Sequence, residues 1–438
     1  AGGGVLVSGG APTLERVVLV GNSATEGGGI AVGAGASVLA TRLTLDSNTA
    51  SGDGGGLWVE QAEVIWRGGA ATSNLAADDG GGVYASRANL DFAGLEFLSN
   101  LATDEGGGLY VEGGATLLSN CVYDANTADA GGALVSRRFF ASVGQQITLE
   151  TPSVAIDSSR FVGNTCVSRW PGLRLEGTEA AVTDTEVVGH SHLGAGEAAF
   201  SVSAQNPVGR PAANAWTTLD LQRGRFRDNE VAIGGAWGRE TDDLVLDSSF
   251  INNGQAAYAT VGAIRMDGGL VAQSPATAWA YWYAAVVCET CDGEGLVRHV
   301  AFVDNGEGGV NLYRPSSSWL IESNVFAGSF NGVTFDLPND LAVDGNTFVG
   351  LTHWQPGPAL LGTGGLTSFA GNIVAYNLDQ PALAVSGSLA GYAQNYDWAN
   401  AVATWANGAP SASQGNQTLH PDFVTYLADG DWSNDDLR

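Results

Sequence analysis

Short apolar runs return along this chain at a fixed step. Ile30 to Val32, Leu57 to Val59, Val83 to Ala85, Leu109 to Val111 and Ala133 to Val135 each follow a glycine cluster. The clusters are Gly27 to Gly29, Gly54 to Gly56, Gly80 to Gly82, Gly106 to Gly108, and the pair Gly131 and Gly132. Each cluster is preceded by an asparagine, and Asn22, Asn48, Asn74, Asn100 and Asn126 recur at every twenty-sixth position. Alanine follows two positions after every one of them. Three positions before the asparagine stands a mostly large apolar residue, in the order Leu19, Leu45, Ala71, Phe97 and Tyr123. Downstream the column continues as Phe161, Val187, Phe226, Phe250, Phe302, Phe326, Phe348 and Val374.

Runs of this length with alternating apolar positions are strands. Glycine triplets at every repeat would break a helix. A fixed period of roughly 20–50 residues marks stacked supersecondary units. If each unit returns the chain to the same place one strand spacing further on, like residues stack on like. Asparagines then bond along the axis and aromatics fill the bore. The pattern therefore predicts an all-β chain folded as a right-handed parallel β-helix, a solenoid of about 13 coils of mostly 22–26 residues.

Spacing divides the chain into three zones of one continuous solenoid. Residues 1–135 are regular coils, 136–300 are coils with insertions, and 301–438 are shorter coils and a tail. The step from Asn126 to Asn164 exceeds the regular one by twelve positions and that from His190 to Asn229 by thirteen, so loops are expected there. The doubled step from Asn253 to Asn305 is either two coils or one coil with a long loop. The unpaired first coil implies a further domain or protomer before residue 1, because bare strand edges promote association.

Composition narrows the partners. Glycine supplies 63 of 438 residues and hydrophobic residues 44%, which argues for many turns in a folded chain. Net charge is −28, and all 18 basic residues are arginine. Such a surface repels phosphate backbones and anionic lipid, which excludes nucleic acid and direct membrane insertion as expectations. No apolar run reaches the roughly 18 residues that would span a bilayer.

The tetrads Phe97 to Asn100, Phe161 to Asn164, Phe226 to Asn229, Phe250 to Asn253 and Phe302 to Asn305 resemble polymorphic outer-membrane-protein repeats. So does Gly131 to Leu134. More widely, the chain is similar to bacterial right-handed parallel β-helix repeat proteins. The resemblance implies secretion, display at a bacterial cell surface and adhesion, with a cell-surface glycan or protein, or further copies or domains of itself, as partner. The tail from His420 to Trp432 resembles the closing coil of such proteins, and its ending at Arg438 suggests truncation or processing.

Candidate chemistry is sparse. Asp242 and Asp243 with Arg239 are the best catalytic candidates, as for a polysaccharide lyase or glycoside hydrolase acting on acidic glycans. Glycosidases need two carboxylates at a defined separation, which an adjacent pair does not supply by itself. Arg225 and Arg227 flank Phe226 and point outward, where guanidinium forks could grip a carboxylate sugar or pair with neighbouring acids. Trp279, Tyr281, Trp282 and Tyr283 form either a binding platform or a loop packed on the solenoid's flank. Cys288 and Cys291 are read as a local disulfide in a secreted loop. His190 is either a substituted ladder position or a metal ligand with His192.

One column invites a metal. Glu26, Asp53, Asp79 and Glu105 immediately precede the glycines, and stacking sets these like charges one strand spacing apart. Either they splay into solvent or a bridging cation holds them, and Ca2+ suits carboxylates combined with backbone carbonyls. The overall expectation is a non-catalytic structural or adhesive module.

Overall fold

The structure, a computed structural model, describes residues 2–143, 146–169, 171–192, 198–203, 217–236, 244–262, 264–274, 284–306, 308–329, 331–338, 340–351, 358–375, 383–386, 391–398 and 416. Among them there is no helix. The fold is all-β, a parallel β-solenoid of about 12 turns against the 13 counted from apolar positions. It divides into two compact units, Ala1–Gly234 and Gly235–Arg438.

In the first unit the sequence repeat becomes strict register. Phe97 stands beside Ala71 on one side and Tyr123 on the other, and Tyr123 beside Phe161. Their rings stack at 4.4 and 4.8 Å between centroids, tilted by only 2° and 10°. These distances match the spacing of neighbouring strands, so one aromatic fits per layer. The insertion after Asn126 folds as an antiparallel hairpin, Phe139–Val143 with Gln146–Glu150. It closes on the wall of an earlier coil, where Arg87 Nε donates to Glu150 Oε1 at 3.0 Å and the Arg87 guanidinium lies 4.8 Å over the Phe139 ring.

The asparagines form a buried ladder. The backbone N–H and Nδ2 of Asn48 both donate to Asn74 Oδ1, at 3.0 and 3.1 Å. Asn74 does the same to Asn100 at 3.0 Å, and its Nδ2 also reaches the Leu45 carbonyl at 2.9 Å. The pattern runs from Asn22 to Asn164. His190 occupies the next place, with its ring nitrogens 3.3 Å from the Asn164 carbonyl and 3.2 Å from that of Phe161. Burial lowers its pKa to about 4, so the ring is neutral in the fold.

The glycines of a triplet serve two needs. Gly80 takes φ +67, where a side chain is strained. Gly81 and Gly82 both lie against the backbone of the next coil, and Gly82 also lies against the Asn100 side chain.

In the second unit Val271 pairs with Phe250 on one side and with Phe302 on the other. The long step from Asn253 to Asn305 is therefore two coils, and Ser274 fills the asparagine slot by donating its N–H to Asn305 Oδ1 at 3.1 Å. A second ladder then starts at a different corner. Asn324, Asn346, Asn372, Asn395 and Asn416 bond in series, two residues before the apolar slot instead of three after it. Phe302, Phe326 and Phe348 stack beside it at 4.8 and 4.9 Å.

Candidate functional site

The strands that follow the glycine clusters in the first unit build one outer face. In Leu57–Glu60, Leu57 and Val59 are buried while Trp58 and Glu60 are partly exposed. Register carries this parity along the solenoid and aligns Trp58, Tyr84, Tyr110, Val135 and Arg174 in an outward column. Tyr84 and Tyr110 stack at 5.2 Å with planes 5° apart, so their ring faces meet each other and their edges face outward. Tyr110 is nevertheless only 1% exposed. The Arg137 guanidinium covers its ring at 5.5 Å.

Beside the tyrosines runs the acidic column. Glu26 Oε2 accepts the Asp53 N–H at 2.9 Å, Asp53 Oδ1 accepts the Asp79 N–H at 3.1 Å, and Asp79 Oδ1 accepts the Glu105 N–H at 2.9 Å. The carboxylates thus neither splay away together nor need a bridging cation to stack. Each is fastened to the backbone of the next coil, in parallel with the asparagine ladder. Glu105 closes the series differently, paired with Arg137 at 2.8 Å and with Arg174, which also meets Glu176 at 2.8 Å.

This arrangement shifts the acids. Burial, reinforced by neighbouring carboxylates, raises Asp53 to about 6 and Asp79 to about 8. An acid whose pKa is raised in the fold keeps its proton after the unfolded chain has lost it. Its contribution therefore favours the fold at low pH and declines as pH climbs from about 4 through the folded value. Stability should fall across pH 4–8 by roughly 2–4 kcal/mol on account of Asp79, allowing for its partial exposure. In Asp79→Asn, whose side-chain oxygen still accepts the Glu105 N–H, the decline should be much smaller. Urea unfolding of both proteins at several pH values measures it, and parallel slopes would refute the assignment.

Asp53, Asp78 and Asp79 have carboxylate oxygens within 4.8 Å of one another, close enough to share a cation. A proton held by Asp79 and a backbone bond on each of Asp53 and Asp79 compete with that use. The melting midpoint is expected to be the same in millimolar calcium and in a chelator; a rise with calcium would restore the metal reading.

No known family matches the sequence, and no curated protein does. Among solved structures, it is similar to a surface adhesin of Streptococcus pneumoniae, at 9% identity and TM-score 0.22 over 86% of this chain and 83% of that one. It is also similar to the A-module of a mannuronan C-5 epimerase from Azotobacter vinelandii, at 12% identity and TM-score 0.17 over 90% of both chains. Likeness at this level assigns no activity. The polymorphic outer-membrane-protein resemblance of the tetrads has no counterpart among these matches.

The other expected residues are scattered. Arg227 pairs with Glu186 at 3.2 Å, Arg223 with Asp184 at 2.7 Å, and Arg225 stands in register with Glu186. The arginine-rich strand is thus met by acids of the preceding coil. Cys288 and Cys291 are joined, yet both are fully buried and Cys288 lies in register with Ala259 and Leu312. The pair belongs to the solenoid wall and not to an exposed loop. Cys121 and Cys166 are buried and stand outside the disulfide. Arg239, Asp242, Asp243, Trp279, Tyr281, Trp282 and Tyr283 lie outside the described residues. Sequence reasoning missed the outward tyrosine column, although Tyr84 and Tyr110 occupy the same slot of the repeat and that coincidence was its signal.

Proposed function

We propose that the protein is a non-catalytic adhesive solenoid of a bacterial cell surface, which engages a surface glycan or protein through the outer face of its first unit. The supporting observation is how the conspicuous polar columns are used. The asparagines bond asparagines, the acidic column bonds backbone N–H groups, and Glu105 is held by two arginines. Groups committed in this way make a rigid face and leave little for chemistry. Among the described residues, no helix is long and apolar enough to cross a membrane.

Asp78 is exposed at the rim of this face, so Asp78→Asn tests it without disturbing the ladder. The wild-type chain should be retained on immobilised surface glycans or proteins, more weakly as salt rises. The variant should be retained less while melting normally. Equal retention of both proteins would remove this face from the function.

One observation favours a second reading, a glycan-cleaving enzyme. Asp53 and Asp79 have carboxylate oxygens within 4.8 Å of each other, and burial raises both, to about 6 and about 8, so that near neutral pH one can hold a proton while the other is ionised. Release of sugar ends from an acidic glycan, abolished in Asp79→Asn, would establish it.

A further inference from the structure

The second unit carries a groove that none of the foregoing uses. Strands Gly295–Arg298, Ser318–Glu322 and Asp340–Asp344 lie side by side, and Arg265–Ala272 adjoins the first. Their register sets Leu296, Leu320 and Ala342 in one outward column with Arg265 at its head. The floor is therefore aliphatic, and it deepens where leucine gives way to alanine. It rests on the buried Trp319 ring, which fills the space beneath Gly295 so closely that a Cβ there would meet it at 2.2 Å.

Polar groups line the rims. On one side stand Glu294, Ser318 and Asp340, with Asp340 oriented by the Ser318 hydroxyl at 3.2 Å and the Thr367 hydroxyl at 2.6 Å. On the other, Arg298 is fixed by Asp267 at 2.7 Å. Together they enclose about 400 Å³. That is the lower end of the range for small-ligand sites.

We infer that this groove binds a saccharide unit bearing a carboxylate. An aliphatic floor between polar rims suits a sugar ring, which has an apolar C–H face and hydroxyls around its edge. Ser318 and the carboxylates of Glu294 and Asp340 are placed to bond those hydroxyls. Arg265 supplies the counter-charge. A guanidinium has five N–H donors, so it can fork onto a ligand carboxylate beside any partner it has in the protein. Of the two arginines lining the groove, Arg298 is taken up by Asp267 at 2.7 Å and lies 3.7 Å from Glu322, so selectivity for a carboxylate is assigned to the Arg265 fork and not to the net local charge. The inference stands apart from the face of the first unit, and either can fail without the other.

Saturation-transfer NMR and calorimetry on the full chain test it, using a short oligouronide, its carboxyl-reduced neutral counterpart and an acidic peptide as probes. The oligouronide should bind at least about tenfold more tightly than the reduced form, a difference of about 1.4 kcal/mol. Arg265→Gln should bring it down to the reduced form's affinity. Ala342→Trp, which fills the groove from its outer side, should abolish binding of both sugars while the protein melts normally. Equal affinity for the two sugars, indifference to Arg265→Gln, no saccharide binding by a normally melting protein, or preference for the peptide would each overturn the proposal.

Discussion

Asn74→Leu is expected to lower the stability of the first unit by about 4–6 kcal/mol. The asparagine touches three coils. Its oxygen accepts both the N–H and the Nδ2 of Asn48, its nitrogen donates to the Leu45 carbonyl, and it shares Asn100 Oδ1 with its own backbone N–H. Leucine deprives the Asn48 N–H, one hydrogen of Asn48 Nδ2 and the Leu45 carbonyl of their Asn74 partner in the interior, while Asn48 Nδ2 keeps its bond to the Leu19 carbonyl at 2.9 Å. Each buried group deprived of its partner costs about 1–3 kcal/mol. A leucine packed in the interior recovers only part of this. Because solenoid coils contact chiefly their neighbours, the loss should also split unfolding into two steps on either side of the altered coil. Urea denaturation followed by far-UV circular dichroism measures both effects. A single transition at the wild-type midpoint would mean that the ladder does not support the fold.

Gly81→Ala should be at least as damaging. A Cβ at Gly81 would lie 2.5 Å from the Leu101 carbonyl carbon and 2.6 Å from the Gly107 oxygen. Both are backbone atoms of the next coil, so no rotamer change relieves the contact and the layers must part. A loss of more than about 4 kcal/mol follows. Gly94→Ala is the control. Gly94 has φ +65 and nothing within 4 Å of an added Cβ, so only backbone strain is introduced, about 1–2 kcal/mol. Thermal melts of the two variants separate the causes. Equal losses would show that the coils are not in the close contact described at Gly81.

Most of the architecture was legible because the physics that builds it acts on every coil alike. Phe97, Tyr123 and Phe161 must match in kind to stack, so the period is written in the side chains. Legibility fails where a coil satisfies the same need with different residues. Val271 and Ser274 do the work of phenylalanine and asparagine, and neither type is distinctive enough to mark a coil. The second ladder was hidden for another reason. Asn324, Asn346 and Asn372 keep the residue type but move to another corner while the step first shortens and then lengthens again, so alignment on the first ladder passes over them.

The candidate sites were less legible still. The acidic column could be read as a column, but its role depends on which backbone N–H each carboxylate meets in the next coil. Like-charge repulsion alone left splaying into solvent and a bridging cation both open. Tyr110 is buried because Arg137 reaches back over its ring from the next coil, at the edge of the insertion, and nothing in the tyrosine's own repeat announces that. Arg265 and Asp340 are far apart in the sequence and line one groove only because three intervening registers hold.

On the proposed function, the solenoid holds its partner without altering it. The most direct measurement is the chain-length distribution of acidic and neutral surface glycans after prolonged incubation with the protein, read by mass spectrometry alongside the amount retained. Polymer that is retained and unchanged in length is the predicted result. Shortened chains or new unsaturated ends, present with wild type and absent with Asp79→Asn, would contradict it.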